Sequence, residues 1–312
     1  MTEIVTSSEA DAKRALEALE WAVDRAEKGV VVPAPVAQRA DFKLAAEKYL
    51  VDVRGHLDRV MMSHDAEAGL DALLEAGALV AFLPEVEAMV GFGDGEWRHK
   101  DVWKHTKQVV RQAVPKLEVR WAALLHDIGK IKTRSISPSG EVHFFGHAEV
   151  GARMFDKLDR RVPLFTRDEA LKSTVRFLIL HHLRASQYDA SWTDSAVRRF
   201  TKEMGAELDD VLNLSRADIT TKRPEKKRKG LRQISDLAER VRCVSADDAK
   251  VPPLPSGIGD AMMVAFALPP SRKIGDMKKM LEAAVEAGEI AERQEAEAYL
   301  EFIRQNRERF GI

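Results

Sequence analysis

The sequence predicts an all-α protein. Apolar residues recur at three- and four-residue spacing almost throughout, and the alternating pattern of strands is scarce. The chain has 312 residues, 45% hydrophobic and 32% charged, enough to bury a substantial core. In order, the spacing of Ala15, Leu16, Leu19 and Val23 predicts an amphipathic helix over 8–29, and "VVPAPVA" (31–37) is a proline-containing linker. Helices follow near 41–62 and 67–78, then a short turn and a glycine-rich loop over 83–97. Asp101 is placed to cap a helix running to Pro115. The next helix, 117–128, is ended by Gly129, and "SPSGEVHFFG" (137–146) fits a small hairpin. Helices are predicted at 147–159, 168–185, 193–204 and 205–220. The tail holds helices near 231–244, 257–267, 274–287 and 292–308, separated by "KVPPLPSG" and "LPPSRK". Met262, Met263, Phe266, Met277, Met280 and Leu281 in that tail read as core packing.

Net charge is −1, so no global basic field marks the chain as a nucleic-acid binder, and any such surface must be local. A single cysteine, Cys243, excludes an internal disulfide and fits a reducing compartment. The sequence contains neither a run of 18 apolar residues nor the basic-then-apolar order of a signal peptide. The expectation is a cytoplasmic protein with no membrane partner. Its oligomeric state is not encoded in any pattern here.

The chemistry concentrates in "WAALLHDIGK" (121–130), an apolar run ending in His126 and Asp127. His105 precedes it, on the stripe of Val102 and Val109, and His147 follows it, opening a helix with Val150 and Met154. His181 and His182 end an apolar helix, and Asp218 ends another. A buried aspartate without a partner costs several kcal/mol or more. Imidazoles and carboxylates converging from several helices are how bundles build di-metal sites, and this nitrogen-rich set suits Mn, Ni, Co or Fe over Mg. The remaining histidines, His56, His64, His99 and His143, read as surface or loop residues.

His105, "HD" 126–127 and Asp218 resemble the H…HD…D signature of HD-domain metal-dependent phosphohydrolases, and His147, His181 and His182 follow the order of binuclear members. "GLDALLEAGALVAFLPEVEAM" (69–89), "HKDVWKHTKQVV" (99–110), "LLHDIGK" (124–130), "FFGHAEVGA" (144–152) and the tail 253–300 resemble the body of bacterial tRNA nucleotidyltransferases that carry an HD domain. The likeness covers roughly 44–305; in the tail, Pro-Pro-Ser stands where the family has a glycine-containing turn before "KIG". The stretch ahead of the matching region, 1–43, holds neither the glycine-containing loop nor the D-x-D pair of that family's catalytic head. CCA addition is therefore not carried over. The expected organisation is an N-terminal helical arm and linker (1–43), a helical neck with the HD phosphohydrolase domain (44–220), and a basic linker with a C-terminal helical module (221–312).

The resemblance implies one or two divalent transition-metal ions. His105, His126, Asp127 and Asp218 would hold one, and Asp127 would bridge to a second on His147, His181 and His182. Such ions lower the pKa of a bound water to about 7 and, at about 3.5–4 Å apart, clamp phosphate oxygens. Asp127 and Lys130 are the expected catalytic residues, with Lys130 and Arg184 meeting substrate phosphate. "TTKRPEKKRKGLRQ" (220–233) has seven Lys/Arg against one Glu. Lys222, Arg223, Lys226, Lys227, Arg228 and Lys229 in it are candidates for attracting RNA ends or nucleotides; no aromatic residue there offers a stacking surface. The expected activity is hydrolysis of nucleotide or RNA-end phosphate esters, in its sharpest form 2′,3′-cyclic phosphodiesterase. Two other readings stand beside it. One is a different HD enzyme, such as a deoxynucleotide phosphohydrolase, a cyclic-dinucleotide hydrolase (disfavoured by the missing G-Y-P segment) or a di-iron oxygenase. The other is a headless tRNA- or RNA-binding protein whose metal is structural.

Overall fold

Helices account for nearly all regular structure among the described residues, which are 2–93, 101–249 and 252–312 of a computed structural model. The chain divides into two units, residues 1–242 and 243–312. Among the described residues no helix is long and apolar enough to cross a membrane. His99 and part of the glycine-rich loop of 83–97 lie outside the described residues.

The first unit opens with α1 (Thr2–Lys28), α2 (Arg39–Lys48), α3 (Leu50–Met62) and α4 (Ala66–Glu75). The single helix expected over 41–62 is broken at Tyr49, whose φ/ψ of −131°/41° is not helical. α1 buries Ala12, Ala15, Leu19, Ala22 and Ala26 along one stripe, and the small side chains let its neighbours approach closely. At Gly69 on α4 a Cβ would lie 2.7 Å from Ala26 Cβ. Two short helices follow, α5 (Ala78–Phe82) and α6 (Pro84–Glu87), the second started by proline at its first position.

The next part positions the site. It comprises α7 (Val102–Gln112), α8 (Leu117–Leu125), α9 (Lys130–Thr133), a hairpin of β1 (Ser135–Ile136) and β2 (Val142–His143), α10 (His147–Arg161) and α11 (Glu169–His181). It continues through α12 (Asp194–Met204) and α13 (Leu208–Ala217) into α14 (Pro224–Ala249). Asp101 caps α7 as expected, accepting from Lys104 N. α8 is buried from Val119 to Leu125 and packs on α3, α7, α11 and α13, which makes it the central helix. Its one buried cation, Arg120, donates to the carbonyls of Met61, Ser63 and Ala113, and burial pulls its pKa down. Trp121 packs edge-on against Phe165 and donates to Asp58 Oδ1 at 2.7 Å.

Gly129 does not end a helix by its backbone conformation. Its φ is −66°, ordinary for any residue. Space is the constraint: a Cβ there would sit 2.0 Å from His147 O and 2.7 Å from Gly151 N. The turn after Asp127 therefore lies directly on the first turn of α10. The hairpin pairs Ser135 with His143 and Ile136 with Val142, with Gly140 at φ +86° in its turn. The basic run is helical from Pro224, ahead of the expected start at 231. Proline suits a first helical position, and the lysines and arginines that follow are good helix formers whose heads stay in water.

The second unit contains α15 (Ile258–Ala265), α16 (Arg272–Glu286), α17 (Ala296–Gln305) and α18 (Arg307–Phe310). Met262, Met277 and Leu281 are core residues with Ile258, Tyr299 and Ile303, while Phe266 packs at the edge and Met280 is 36% exposed. The Tyr299 hydroxyl reaches the Pro253 and Ala291 carbonyls at 2.9 and 3.1 Å.

Candidate metal centre

Three of the four inward-facing histidines stand where a main-chain carbonyl orients them. α8 ends at Leu125, so His126 is its C-cap and Nδ1 donates to Ala123 O at 2.8 Å. α11 ends at His181, so His182 is its C-cap and Nδ1 donates to Ile179 O at 2.8 Å. His147 opens α10 and donates from Nδ1 to Phe144 O at 2.7 Å. The same i to i−3 bond thus occurs three times. A carbonyl only accepts, so Nδ1 carries the hydrogen and each neutral ring presents a lone pair at Nε2. His105, from the middle of α7, pairs Nδ1 with Thr220 Oγ1 at 2.8 Å.

The four Nε2 atoms meet two carboxylates. Asp127 Oδ2 lies 3.4 Å from His105 Nε2 and 3.3 Å from His126 Nε2, and Oδ1 lies 3.5 Å from His147 Nε2. Asp218, the C-cap of α13, places Oδ1 3.0 Å from His105 Nε2 and 3.6 Å from His126 Nε2. His147 Nε2 and His182 Nε2 are 3.1 Å apart. Two groups with metal-ligand geometry result: His105, His126 and Asp127, and Asp127, His147 and His182. Asp127 belongs to both, one oxygen facing each side.

The donor atoms fit metal ions better than they fit each other. With Nδ1 of both rings donating to carbonyls, His147 and His182 bring Nε2 atoms within 3.1 Å of one another, a contact that a shared proton or a bound cation would satisfy. His126 Nε2 is buried and has no hydrogen-bond partner, although Asp127 and Asp218 lie 3.3 and 3.6 Å away. Atoms each about 2.0–2.2 Å from one ion lie roughly 3–3.5 Å apart, the spacing found here. The site is closed inside and open at one edge. Asp127 and His126 are 1% exposed, whereas Asp218 keeps 30% and Lys130 22% of their side chains in solvent.

The electrostatics follow from burial opposed by charge. Burial alone would raise the Asp127 carboxyl, but His126, Lys130 and His105 hold it well below the usual carboxylate range. Asp218 behaves alike: burial would raise its carboxyl, but the adjoining His105 and His126 rings hold it well below the usual carboxylate range. Burial disfavours a charge on His126, yet Asp127 and Asp218 push it up to about 10. His182 goes the other way, to about 4, because burial and the neighbouring His126 both oppose a proton. Burial also lowers His147.

Other expected residues fall differently. Of the neighbouring pair His181 and His182, both expected as ligands, His182 alone enters the groups, because adjacent helical residues point about 100° apart. His181 instead lies half-buried against the Phe177 ring, with centroids 4.2 Å apart. Lys130 donates to Asp127 Oδ2 at 2.6 Å and sits 5.6 Å above the Phe144 ring. Arg184 is engaged by Gln187 and Glu203, with its Nε buried and unpartnered. Lys227 reaches Gln112 Oε1 at 3.3 Å, while Lys222, Arg223, Lys226, Arg228 and Lys229 stay exposed around the start of α14. Thr220 and the Phe144 carbonyl went unnoticed in the sequence, since nothing local marks a hydroxyl or carbonyl as the support of a distant ring.

Residues 102–242, which bear every member of both groups, match the family model described as HD domain. This part of the chain is an HD domain. Its fold and metal-binding cluster are of the kind typical of metal-dependent phosphohydrolases. The chain is 30% identical over 256 residues to the A-adding tRNA nucleotidyltransferase of Deinococcus radiodurans, covering 80% of this chain and 57% of that one. It is 32% identical over 266 residues to the CC-adding tRNA nucleotidyltransferase of Thermus thermophilus, covering 82% and 57%. A 158-residue stretch is 34% identical to the multifunctional CCA protein of Vibrio campbellii, 48% of this chain and 37% of that one. The chain thus spans little more than half the length of the first two relatives. Its HD domain resembles the HD region of bacterial CCA-adding enzymes.

Proposed function

We propose that the HD domain hydrolyses phosphate esters of nucleotides or RNA ends, with 2′,3′-cyclic phosphates as the preferred substrates. The observation that carries this reading is Asp127, which shares its two oxygens between two histidine groups beside an opening. His105, His126, Asp127 and Asp218 would hold one ion, and Asp127, His147 and His182 a second, with Mn, Ni, Co or Fe suited to so many nitrogens. When bound, divalent ions there supply Lewis-acid polarisation of phosphate oxygens and acidify a water.

The residues of the chain do the rest. The carbonyls of Ala123, Phe144 and Ile179 keep three imidazoles in the ligating tautomer. Lys130 holds Asp127 in place and adds positive charge at the rim, where an anionic ester must enter. Helix α14 begins just beyond Thr220, the partner of His105. Its exposed cations Lys226, Arg228 and Lys229, with Lys222 and Arg223 before them, form a local field for a polyanion. The relatives are named for acting on tRNA, which supports an RNA end as the physiological substrate.

The test is hydrolysis of a panel of 2′,3′-cyclic, 3′,5′-cyclic and linear nucleotide phosphates with each metal supplied separately. The expected result is fastest turnover of 2′,3′-cyclic substrates with a transition metal. No turnover of any ester, combined with a tRNA gel shift, would establish the binding-protein reading instead.

A further inference from the structure

The stretch before His147 holds two adjacent phenylalanines in opposite situations. Phe144 is accounted for: its carbonyl orients His147, and its half-buried ring packs on Phe92 below Lys130. Phe145 has no such role. It is 77% exposed, and it is the one aromatic among the exposed large hydrophobics of the described residues. Its ring contact is with His143, with centroids 4.9 Å apart and planes 13° from parallel. One face is thus backed by an imidazole and the other is left to water. The backbone beneath is ordered by pairing: His143 lies opposite Ser135 in the hairpin, and Gly146, at φ +71°, turns the chain into α10. Two residues of chain span at most about 7 Å, so Phe145 stands within that distance, Cα to Cα, of the group that includes His147.

We propose that Phe145, backed by His143, is the stacking platform for the base of a nucleotide whose phosphate lies at Asp127. The proposal rests on the phosphohydrolase reading and adds that the substrate is base-bearing. The chemistry is specific to that class. An open aromatic face already stacked on one side extends a stack to any nucleobase, because every base has a π-face, whereas a bare sugar phosphate has no ring face to stack on it. Chain connectivity places Phe145 two residues from the ligand His147, near enough for a base on the ring and a phosphate at the centre to belong to one nucleotide. The platform reads no hydrogen-bonding edge, so purines should bind somewhat better than pyrimidines without strict base specificity.

The experiment uses the full chain loaded with Mn. Binding of 2-aminopurine ribonucleoside 2′-monophosphate is compared with ribose 2-phosphate, with chromatography verifying that both remain intact. The expected result is about 5- to 150-fold tighter binding of the base-bearing ligand, accompanied by quenching of 2-aminopurine fluorescence as it stacks. F145A and F145L should both bring the ratio near one and remove the quench, while F145W should keep both. F145L separates stacking from simple apolar contact, and all three changes lie at an exposed position that the fold does not depend on. A ratio of one in the wild type, or a ratio and quench that survive in F145A, would overturn the platform even if esters are hydrolysed. A base preference that follows the ring at 145 supports it whatever the hydrolysis panel gives.

Discussion

Replacing Gly129 with alanine separates two explanations of why glycine follows "HDI". If glycine served only to end the helix, alanine would be accepted, because φ is −66° and any residue adopts it. It would even gain about 0.4–1 kcal/mol from a less flexible unfolded chain. The contacts predict the opposite. A Cβ at 2.0 Å from His147 O is far inside the 3.0 Å that real Cβ atoms respect, and the obstructing atoms are backbone. Overpacking costs about 1–3 kcal/mol, and two rigid backbone neighbours place this case toward the upper end, enough to outweigh the gain. The net cost is about 2–2.6 kcal/mol, and in a unit of this size each kcal/mol moves Tm by about 2–4 °C, so calorimetry should show a drop of roughly 4–10 °C. The displaced atom belongs to His147, so elemental analysis after reconstitution should show metal falling from two ions toward one. Gly55, exposed within α3 with nothing within 4 Å of its Cβ position, is the control; G55A should raise Tm by a few degrees. A G129A protein as stable as wild type, with full metal content, would refute the packing argument.

Three further outcomes are expected. D127A should lose both ions and all hydrolysis, H182A one ion, and H181A none; metal loss in H181A by elemental analysis would return that residue to the centre. Metal affinity should climb with pH up to about 10, by at most tenfold per unit, because the ion displaces the proton that His126 holds below that pH. The metal-free fold should show the reverse slope: a raised histidine pKa contributes stability that is complete below about 6.5 and is lost as pH rises through about 10. Calorimetry of metal-free protein at several pH values checks this, with the depressed His182 costing stability instead between about 6.5 and 4. Neutralising Lys226, Arg228 and Lys229 together should raise KM for an RNA end with kcat nearly unchanged, an effect that fades with salt and is small for a mononucleotide. Equal KM at low salt would leave α14 without a part in binding.

The sequence made the ligands legible because each sits at a position that periodicity marks. His105 falls on the stripe of Val102 and Val109, and His126 follows an unbroken apolar run that could only be a central helix. The all-α class was readable for the same reason, and the small hairpin from the turn residues of "SPSG". What escaped depended on distance in space. Leading into and through "RFLILHHLR", the stripe of Leu171, Val175 and Leu178 already favoured His182 as the inward residue, but the pattern alone did not show that His181 rests on the Phe177 ring. Arg184 looked free until Glu203, on the next helix, was placed beside it. The crowding at Gly129 arises from the first turn of α10, beyond the hairpin, and no local pattern contains it.

The way the imidazoles are held limits how this centre can change. Ala123, Phe144 and Ile179 contribute main-chain oxygens, and every amino acid provides the same oxygen at that place. No substitution at those three positions removes the support or exchanges it for a carboxylate, which would make the ring a stronger donor. His105 alone leans on a side chain, the Thr220 hydroxyl, so among the four it is the one whose strength inheritance can adjust by a single codon. The charge that balances the ions is likewise confined to Asp127 and Asp218. The parts of the site that a side-chain change can alter without touching this frame lie at the rim, at Phe145 and the exposed cations at the start of α14.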